Sequence, residues 1–321
     1  MAIEVKYQTK HEFKKYKIAS KIEIANIIYE FDISELPKHG GNSFVLKAYK
    51  EYDTTTEYAI KFMLQGKKSE RKLIKKINEA YKESDSFIRI IGEGKVKFSE
   101  FSYEDISDYR SDENSTKAII EKTCYVMPYT GTNLREYMCD NEVSLNDIKY
   151  YLLQLAKGLA ELHKLNIKHL DIKPDNLLFG NGNFIYADFG SATTSLQCKT
   201  SDCSNTWPIP EYIEPCIDMR TTKIDAKKTD IFELGCIFHY LVTRQFPIGH
   251  QSRELEKLKI DKTLAKIIEE MLSYNQLNRL KDGEELYKRI VEYAGSTKHE
   301  EQYNSIKQNI VEAYNCIKRI F

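Results

Sequence analysis

Ile167-Lys168-His169-Leu170-Asp171-Ile172-Lys173-Pro174-Asp175-Asn176-Leu177-Leu178-Phe179-Gly180-Asn181-Gly182-Asn183-Phe184-Ile185-Tyr186-Ala187-Asp188-Phe189-Gly190 is the stretch on which the reading of this chain turns. Asn181-Gly182-Asn183 is a hairpin turn signal, because Asn and Gly tolerate the positive φ that a tight turn demands. Apolar residues flank it, Leu177-Leu178-Phe179 before and Phe184-Ile185-Tyr186-Ala187 after. A tight hairpin returns Asp188 to the neighbourhood of Asn176, with Asp171 and Lys173 on the preceding loop. Two carboxylates, an amide and an ammonium therefore converge. Such a set can accept a proton, hold a hard divalent cation through oxygen donors, and steady a phosphate.

Composition narrows the setting. The 321 residues suffice for one large domain or two modest lobes. Hydrophobic residues make up 41% and charged residues 30%, which is ordinary for a soluble globular protein. With 48 acidic and 48 basic residues the net charge is zero, which argues against nucleic-acid binding through bulk charge. The N-terminus has no apolar h-region and no apolar run reaches ~18 residues, so neither a secretory signal nor a membrane span is expected. Ala2 stands where myristoylation needs Gly. The seven cysteines form no C-x-x-C pair and no zinc spacing, which reads as reduced thiols in a cytoplasmic protein. Cys198 and Cys203 are close enough in sequence to form a redox pair.

His169-Leu170-Asp171-Ile172-Lys173-Pro174-Asp175-Asn176 resembles the catalytic loop of protein kinases, H-R-D-x-K-x-x-N, and Asp188-Phe189-Gly190 resembles their D-F-G. The resemblance covers residues 29–293. It implies an α+β, bilobal protein-kinase-like fold with a small β-rich N-lobe and a larger helical C-lobe. Residues 29–127 would be the N-lobe, 128–132 the hinge and 133–293 the C-lobe. Residues 1–28 would be an N-terminal extension, in which Ile18, Ile22, Ala25 and Tyr29 recur at helical spacing. Residues 294–321 would be a C-terminal extension with an amphipathic helix carrying Ile306, Ile310, Tyr314, Ile317 and Phe321, which could pack back on the C-lobe or bind a partner.

Further landmarks lie on both sides. Strands are expected over 29–36, 43–52 and 57–64. A Gly-rich turn, Lys38-His39-Gly40-Gly41-Asn42-Ser43, separates the first two. If Val45 is the Val of G-x-G-x-x-G-x-V, the glycine positions hold Lys38, Gly40 and Ser43, with Gly41 extra. Tyr58-Ala59-Ile60-Lys61 resembles V-A-I-K. Lys61 must point away from Ile60 and Phe62 on a pleated strand, and the resemblance makes it the ligand of the α/β-phosphates. A helix over 70–81 offers Glu70, or Glu79, as its ion-pair partner. Strands at 87–97 and 119–127 bracket 99–117, an acidic stretch of little periodicity read as a surface insertion that could dock a partner. Cys124–Thr132 resembles the hinge. There Met127 would back the adenine pocket, and backbone around Tyr129 would meet the adenine edge.

After a short helix at 133–140, Ser144 starts a long one through Leu165, with Asp147 completing a capping box. Its buried stripe is Tyr151, Leu152, Leu155, Leu159 and Leu162. Residues 191–207 match an activation segment in which Thr206 would bridge Asp171 and Lys173. Glu211 or Glu214 would pair with Arg279. Thr229-Asp230 through Pro247 resembles S-D-V-W-S-L-G…P-F, with Asp230 holding the catalytic-loop backbone. Two more helices follow at 263–273 and 283–293.

The resemblance implies ATP-dependent transfer of the γ-phosphoryl group to protein hydroxyls, with ATP and Mg²⁺ bound. Asp171, Lys173 and Asn176 would be catalytic, and Asn176 and Asp188 the metal ligands. Gly40, Gly41, Val45, Ala59, Lys61, Glu70, Met127, Tyr129, Leu178 and Asp188 would bind the nucleotide. Lys173 is the residue of the Ser/Thr-specific variant. Leu170 departs from the family: the Arg it replaces commonly receives an activation-segment phosphate, and Leu cannot pair with one. The alternatives are a pseudokinase used as a nucleotide-binding scaffold and a kinase-like enzyme acting on a small molecule or lipid.

Overall fold

The computed structural model describes residues 2–8, 13–35, 37–40, 43–64, 68–103, 115–199, 223–247, 255 and 261–295. The chain divides into two compact units, one from residues 1–68 and 89–129, the other from 69–88 and 130–321.

The described part of the first unit is a single curled sheet. Its strands are β1 (Ala2–Gln8), β2 (Phe13–Ala19), β3 (Lys21–Ile24), β4 (Ile27–Phe31), β5 (Lys38–Gly40), β6 (Ser43–Lys50), β7 (Asp53–Met63), β8 (Gly92–Tyr103) and β9 (Thr116–Pro128). The order is β1-β2-β8-β9-β7-β6-β4-β3, with β5 paired to β6. The sheet curls until its ends approach: Gly94 of β8 lies against Ile24 of β3, where an added Cβ would stand 3.0 Å from Ile24 Cγ2. Alternation fills the inside of the curl. Phe44, Leu46, Ile60, Phe62, Cys124 and Val126 are all buried. Phe44 stacks on Phe62 at 4.7 Å between ring centroids, and Phe98 meets Phe62 edge-on at 5.7 Å.

Two expectations are corrected here. The helical spacing read in residues 18–29 is a coincidence of strands. Ile18 and Ile22 are four apart, which suits a period of two as well as 3.6, and Ile22, Ile24, Tyr29 and Phe31 line one buried face of β3 and β4. Ala25 and Asn26, both at positive φ, make the two-residue turn between them. Nor is 99–117 a loop throughout: its described residues at both ends extend β8 to Tyr103 and begin β9 at Thr116. Lys17↔Ser99 to Phe13↔Tyr103 pairing with β2 supplies the partner that local sequence did not reveal.

The described part of the second unit is mostly helical. It contains α1 (Lys68–Ala80), β10 (Thr132–Asn133), α2 (Leu134–Asp140), α3 (Leu145–Lys164), β11 (Leu177–Gly180), β12 (Asn183–Tyr186), β13 (Gln197–Lys199), β14 (Lys223–Asp225), α4 (Ala226–Thr243), α5 (Lys262–Met271) and α6 (Gly283–Ala294). The expected capping box at Ser144 forms, and a second one stands at Asn133. Asn133 and Glu136 close α2, and Ser144 and Asp147 close α3. The α3 stripe Tyr151, Leu152, Leu155, Leu159 and Leu162 is at most 1% exposed. Gln154 on α3 grips β12 like a strand neighbour, its amide donating to Phe184 O at 2.6 Å and accepting from Phe184 N at 3.2 Å. α6 packs on α3 at Gly283, where a Cβ would fall 2.6 Å from the Leu159 carbonyl carbon. Residues 296–321, the expected C-terminal helix, lie outside the described residues.

Candidate active site

In the second unit the catalytic loop is built on the hairpin β11–β12. Leu177 pairs with Tyr186 and Gly180 with Asn183, so the two-residue turn Asn181-Gly182 forms with both at positive φ. Leu177, Phe179, Phe184 and Tyr186 sink into the core, while Leu178, half-buried, faces the other way. At the open end Ala187 N donates to Asn176 O at 2.9 Å, which brings Asp188 beside Asn176.

Asp171 is the focus of the loop. Its Oδ2 accepts from Lys173 Nζ and from Asn176 Nδ2, each at 2.8 Å, and Asn176 Nδ2 also donates to Asp171 O at 2.9 Å. The Asp171 carboxylate thus has its aim fixed by two donors on one oxygen. Asn176 spends its amide N–H groups on Asp171, which orients its amide oxygen to other partners. Asp188 adopts left-handed backbone at φ 57°, ψ 71°, strain of the kind retained at working sites. His169 Nε2 donates to Ala187 O at 3.0 Å, and its ring lies 4.9 Å from that of Phe189. Glu70 is buried on α1 and close to this turn: a Cβ on Gly190 would stand 3.9 Å from Glu70 Oε2 and 3.3 Å from Asp188 Oδ1. Glu79, by contrast, is exposed and pairs with Lys75 at 3.8 Å.

Beneath the loop lies a buried carboxylate. Asp230, at the start of α4, accepts from Leu170 N on Oδ1 at 2.8 Å, and on Oδ2 from His169 N at 2.8 Å and His163 Nε2 at 3.0 Å. Gly283 N donates to His163 Nδ1 at 2.9 Å, so the ring proton sits on Nε2 and points at Asp230. One turn on, Glu233 Oε2 accepts from Ile172 N at 2.8 Å. Sequence reading found Asp230 but missed His163 and Glu233. The available signals were a histidine in the apolar stripe of α3 and a carboxylate three residues after Asp230, on the same face of α4.

In the first unit a separate group of candidate residues stands on the outer face of its sheet. Val45 pairs with Lys61 and Lys61 with Tyr125, while Lys47 pairs with Ala59 and Ala59 with Met127. Residues opposite one another share a face, as do residues two apart, so Val45, Ala59, Lys61 and Met127 stand together opposite the Ile60–Phe62 core face. Tyr129 follows β9, and its hydroxyl donates to Glu35 Oε2 at 2.7 Å. Gly40 pairs with Ser43 across the Gly-rich turn, while Gly41 lies outside the described residues. So do Thr206, Glu211 and Glu214. Arg279 is buried, its guanidinium donating to Ser273 O at 2.9 Å and lying 4.8 Å from the Phe232 ring.

Leu170 sits at φ 61° and is buried with Cys198, Ile224 and Ala226, against Phe232. Among the described residues no His/Cys/Asp/Glu trio could hold a metal, and no helix is long and apolar enough to cross a membrane. An Asn–Asp oxygen pair is the donor set suited to a hard cation that keeps several of its waters.

Comparison with known proteins identifies the family. Over 122 residues the chain is 41% identical to a Dictyostelium discoideum protein named "Probable serine/threonine-protein kinase ireA", covering 36% of this chain and 12% of that one. It is 30% identical over 179 residues to "Probable serine/threonine-protein kinase irlA" of the same organism, covering 51% and 12%. To mitogen-activated protein kinase 14 of Arabidopsis thaliana it is 28% identical over 200 residues, covering 61% and 54%. The matched segments thus span from about one eighth to about half the length of these relatives. Residues 38–312, most of the chain, match the sequence model of the protein kinase domain, and the chain belongs to the protein kinase family.

Proposed function

We propose that this chain is an active, ATP-dependent protein kinase that phosphorylates serine or threonine hydroxyls. The observation that carries this is the Asp171 carboxylate, held by Lys173 and Asn176 at 2.8 Å each. In the transfer, a substrate hydroxyl oxygen bonds to the γ-phosphorus as the bond from that phosphorus to the bridging oxygen of ADP breaks. The hydroxyl proton passes to Asp171. Lys173 neutralises charge that develops on the transferred group, and Lys61 steadies the α/β-phosphates. Glu70, buried where Glu79 is exposed, is the residue we propose, of the two, to pair with Lys61. Asn176 and Asp188 would hold Mg²⁺, which supplies electrostatic stabilisation of phosphate charge when bound. Val45, Ala59, Met127, Leu178 and the backbone near Tyr129 would enclose the adenine.

Leu170 supports a second element of the reading: turnover is not switched through a phosphate–Arg contact at the catalytic loop. Lys38 and Ser43 at expected glycine positions favour the alternative, a pseudokinase that binds nucleotide without turnover. Incorporation of labelled phosphate from ATP/Mg²⁺ into a generic basic protein separates the two. Wild type should incorporate it while Asp171→Asn and Lys61→Met do not. Equal incorporation by all three would overturn the assignment, and nucleotide binding with none by wild type would favour the scaffold.

A further inference from the structure

Lys168 precedes His169, is fully buried, and has a charge that the proposed chemistry leaves unused. Its ammonium donates to three oxygens, Asn166 O at 3.1 Å, Asn166 Oδ1 at 2.9 Å and Thr194 O at 3.0 Å. An ammonium has three donors, and all three are engaged. The backbone of the same residue forms a two-bond bridge with Thr193, Lys168 N to Thr193 O and Thr193 N to Lys168 O, both at 2.9 Å. Asn166 Nδ2 adds a further bond to Thr194 O at 2.9 Å. The loop leading into Asp171 is therefore sewn to the segment that follows Asp188-Phe189-Gly190.

Burying an ammonium is costly, and an aliphatic residue would fill the site more cheaply. Burial lowers the Lys168 pKa, while Asp230 and Asp225 oppose that shift and Lys227 adds to it. Two residues on, Leu170 closes the other half of the same contact with apolar neighbours, Cys198 and Ile224. One side of the catalytic loop thus has a cation whose donors are all taken by protein oxygens, beside an apolar plug.

We propose that Lys168 is a positioning residue. It is a built-in cation that locks residues 193–194 onto the catalytic loop and does permanently what an added phosphate would do through an Arg at position 170. This rests on the phosphotransfer reading above, and it assigns the regulation of that site: the segment is ordered without modification.

The test uses the full chain, stripped of phosphate by a broad-specificity phosphatase and checked by intact mass. Stripped wild type should retain its kcat within about twofold, and Lys168→Met should lose about tenfold in kcat with KM for ATP within about twofold. Peptides spanning 190–199 in Lys168→Met should gain deuterium faster than in wild type. Unchanged kcat and unchanged exchange in Lys168→Met would overturn the lock, as would collapse of wild-type turnover on stripping. Should Lys168→Met fail to fold, Asn166→Gly serves. Asn166 is exposed and at φ 58°, which glycine adopts freely, and the change removes one acceptor and one donor of the lock. Faster exchange at 190–199 supports the proposal there, and unchanged exchange overturns it. Absence of turnover in wild type would refute the phosphotransfer reading alone, because the exchange comparison does not depend on turnover.

Discussion

Replacing Asp230 by asparagine takes one acceptor oxygen from a site that needs two. The carboxylate is fully buried and receives three N–H groups: Leu170 N on one oxygen, His169 N and His163 Nε2–H on the other, at 2.8–3.0 Å. The best asparagine rotamer keeps its oxygen toward His169 and His163. Its NH₂ then meets the Leu170 N–H, donor against donor. The flipped rotamer sets two donors against the NH₂ and is worse. His163 cannot relieve the conflict by shifting its proton, because Nδ1 already accepts from Gly283 N. The loss is one charge-assisted hydrogen bond and one buried donor left without a partner, about 3 kcal/mol in all. That is roughly a hundredfold in the folding constant. Urea unfolding followed by circular dichroism measures it, and hydrogen exchange of peptides over 167–172 places it. Stability within about 0.5 kcal/mol of wild type with unchanged exchange at His169 and Leu170 would show that Asp230 does not hold the loop in this way.

Three other substitutions probe separate parts of the fold. Lys47 Nζ lies 2.9 Å from Glu35, 3.0 Å from Glu57 and 3.8 Å from Asp32; burial opposes its charge, but Glu35 and Glu57 outweigh burial and hold its pKa well above the usual value. Lys47→Met leaves three carboxylates facing one another and should destabilise the first unit by about 2 kcal/mol, read as an earlier denaturation midpoint. Gly283→Ala puts a Cβ 2.6–2.7 Å from α3 backbone at Leu159 and Ala160, which no rotamer change can relieve. About 3 kcal/mol of lost stability is expected from thermal or urea melts. Glu270 has its pKa lowered by the Arg289 guanidinium beside it, so its contribution is present above the unfolded value of about 4.3 and is lost as pH falls through the lower folded value. Glu270→Gln should remove about 0.5 kcal/mol of the acid-side decline in stability between roughly pH 5 and 3, and an unchanged decline would contradict this.

The catalytic-loop hairpin was legible because its signals are local. Asn181-Gly182 demands positive φ, the flanking runs are apolar, and Asn176 and Asp188 must meet once the turn closes. The start of α3 was legible for the same reason, since the Ser144–Asp147 capping box lies within four residues. What failed depended on distant partners. Nothing within residues 13–19 says that they pair with 99–103, so the first hairpin read as a mixed helix-spaced extension and the end of β8 as a loop. Lys168 was passed over because a lysine in an apolar run reads as a surface residue until Asn166 and Thr194 are seen around it. His163 carried only a weak signal, because its role is fixed by Gly283, which is remote in sequence.

Whether the Asp171 loop performs phosphoryl transfer is decided by measuring kcat and nucleotide affinity together on Asp171→Asn. A fall in kcat of about 10²–10⁴-fold is expected, with the Kd for ATP/Mg²⁺ nearly unchanged, since Asp171 accepts the proton and leaves nucleotide binding to other groups. A wild-type rate retained by Asp171→Asn would contradict it.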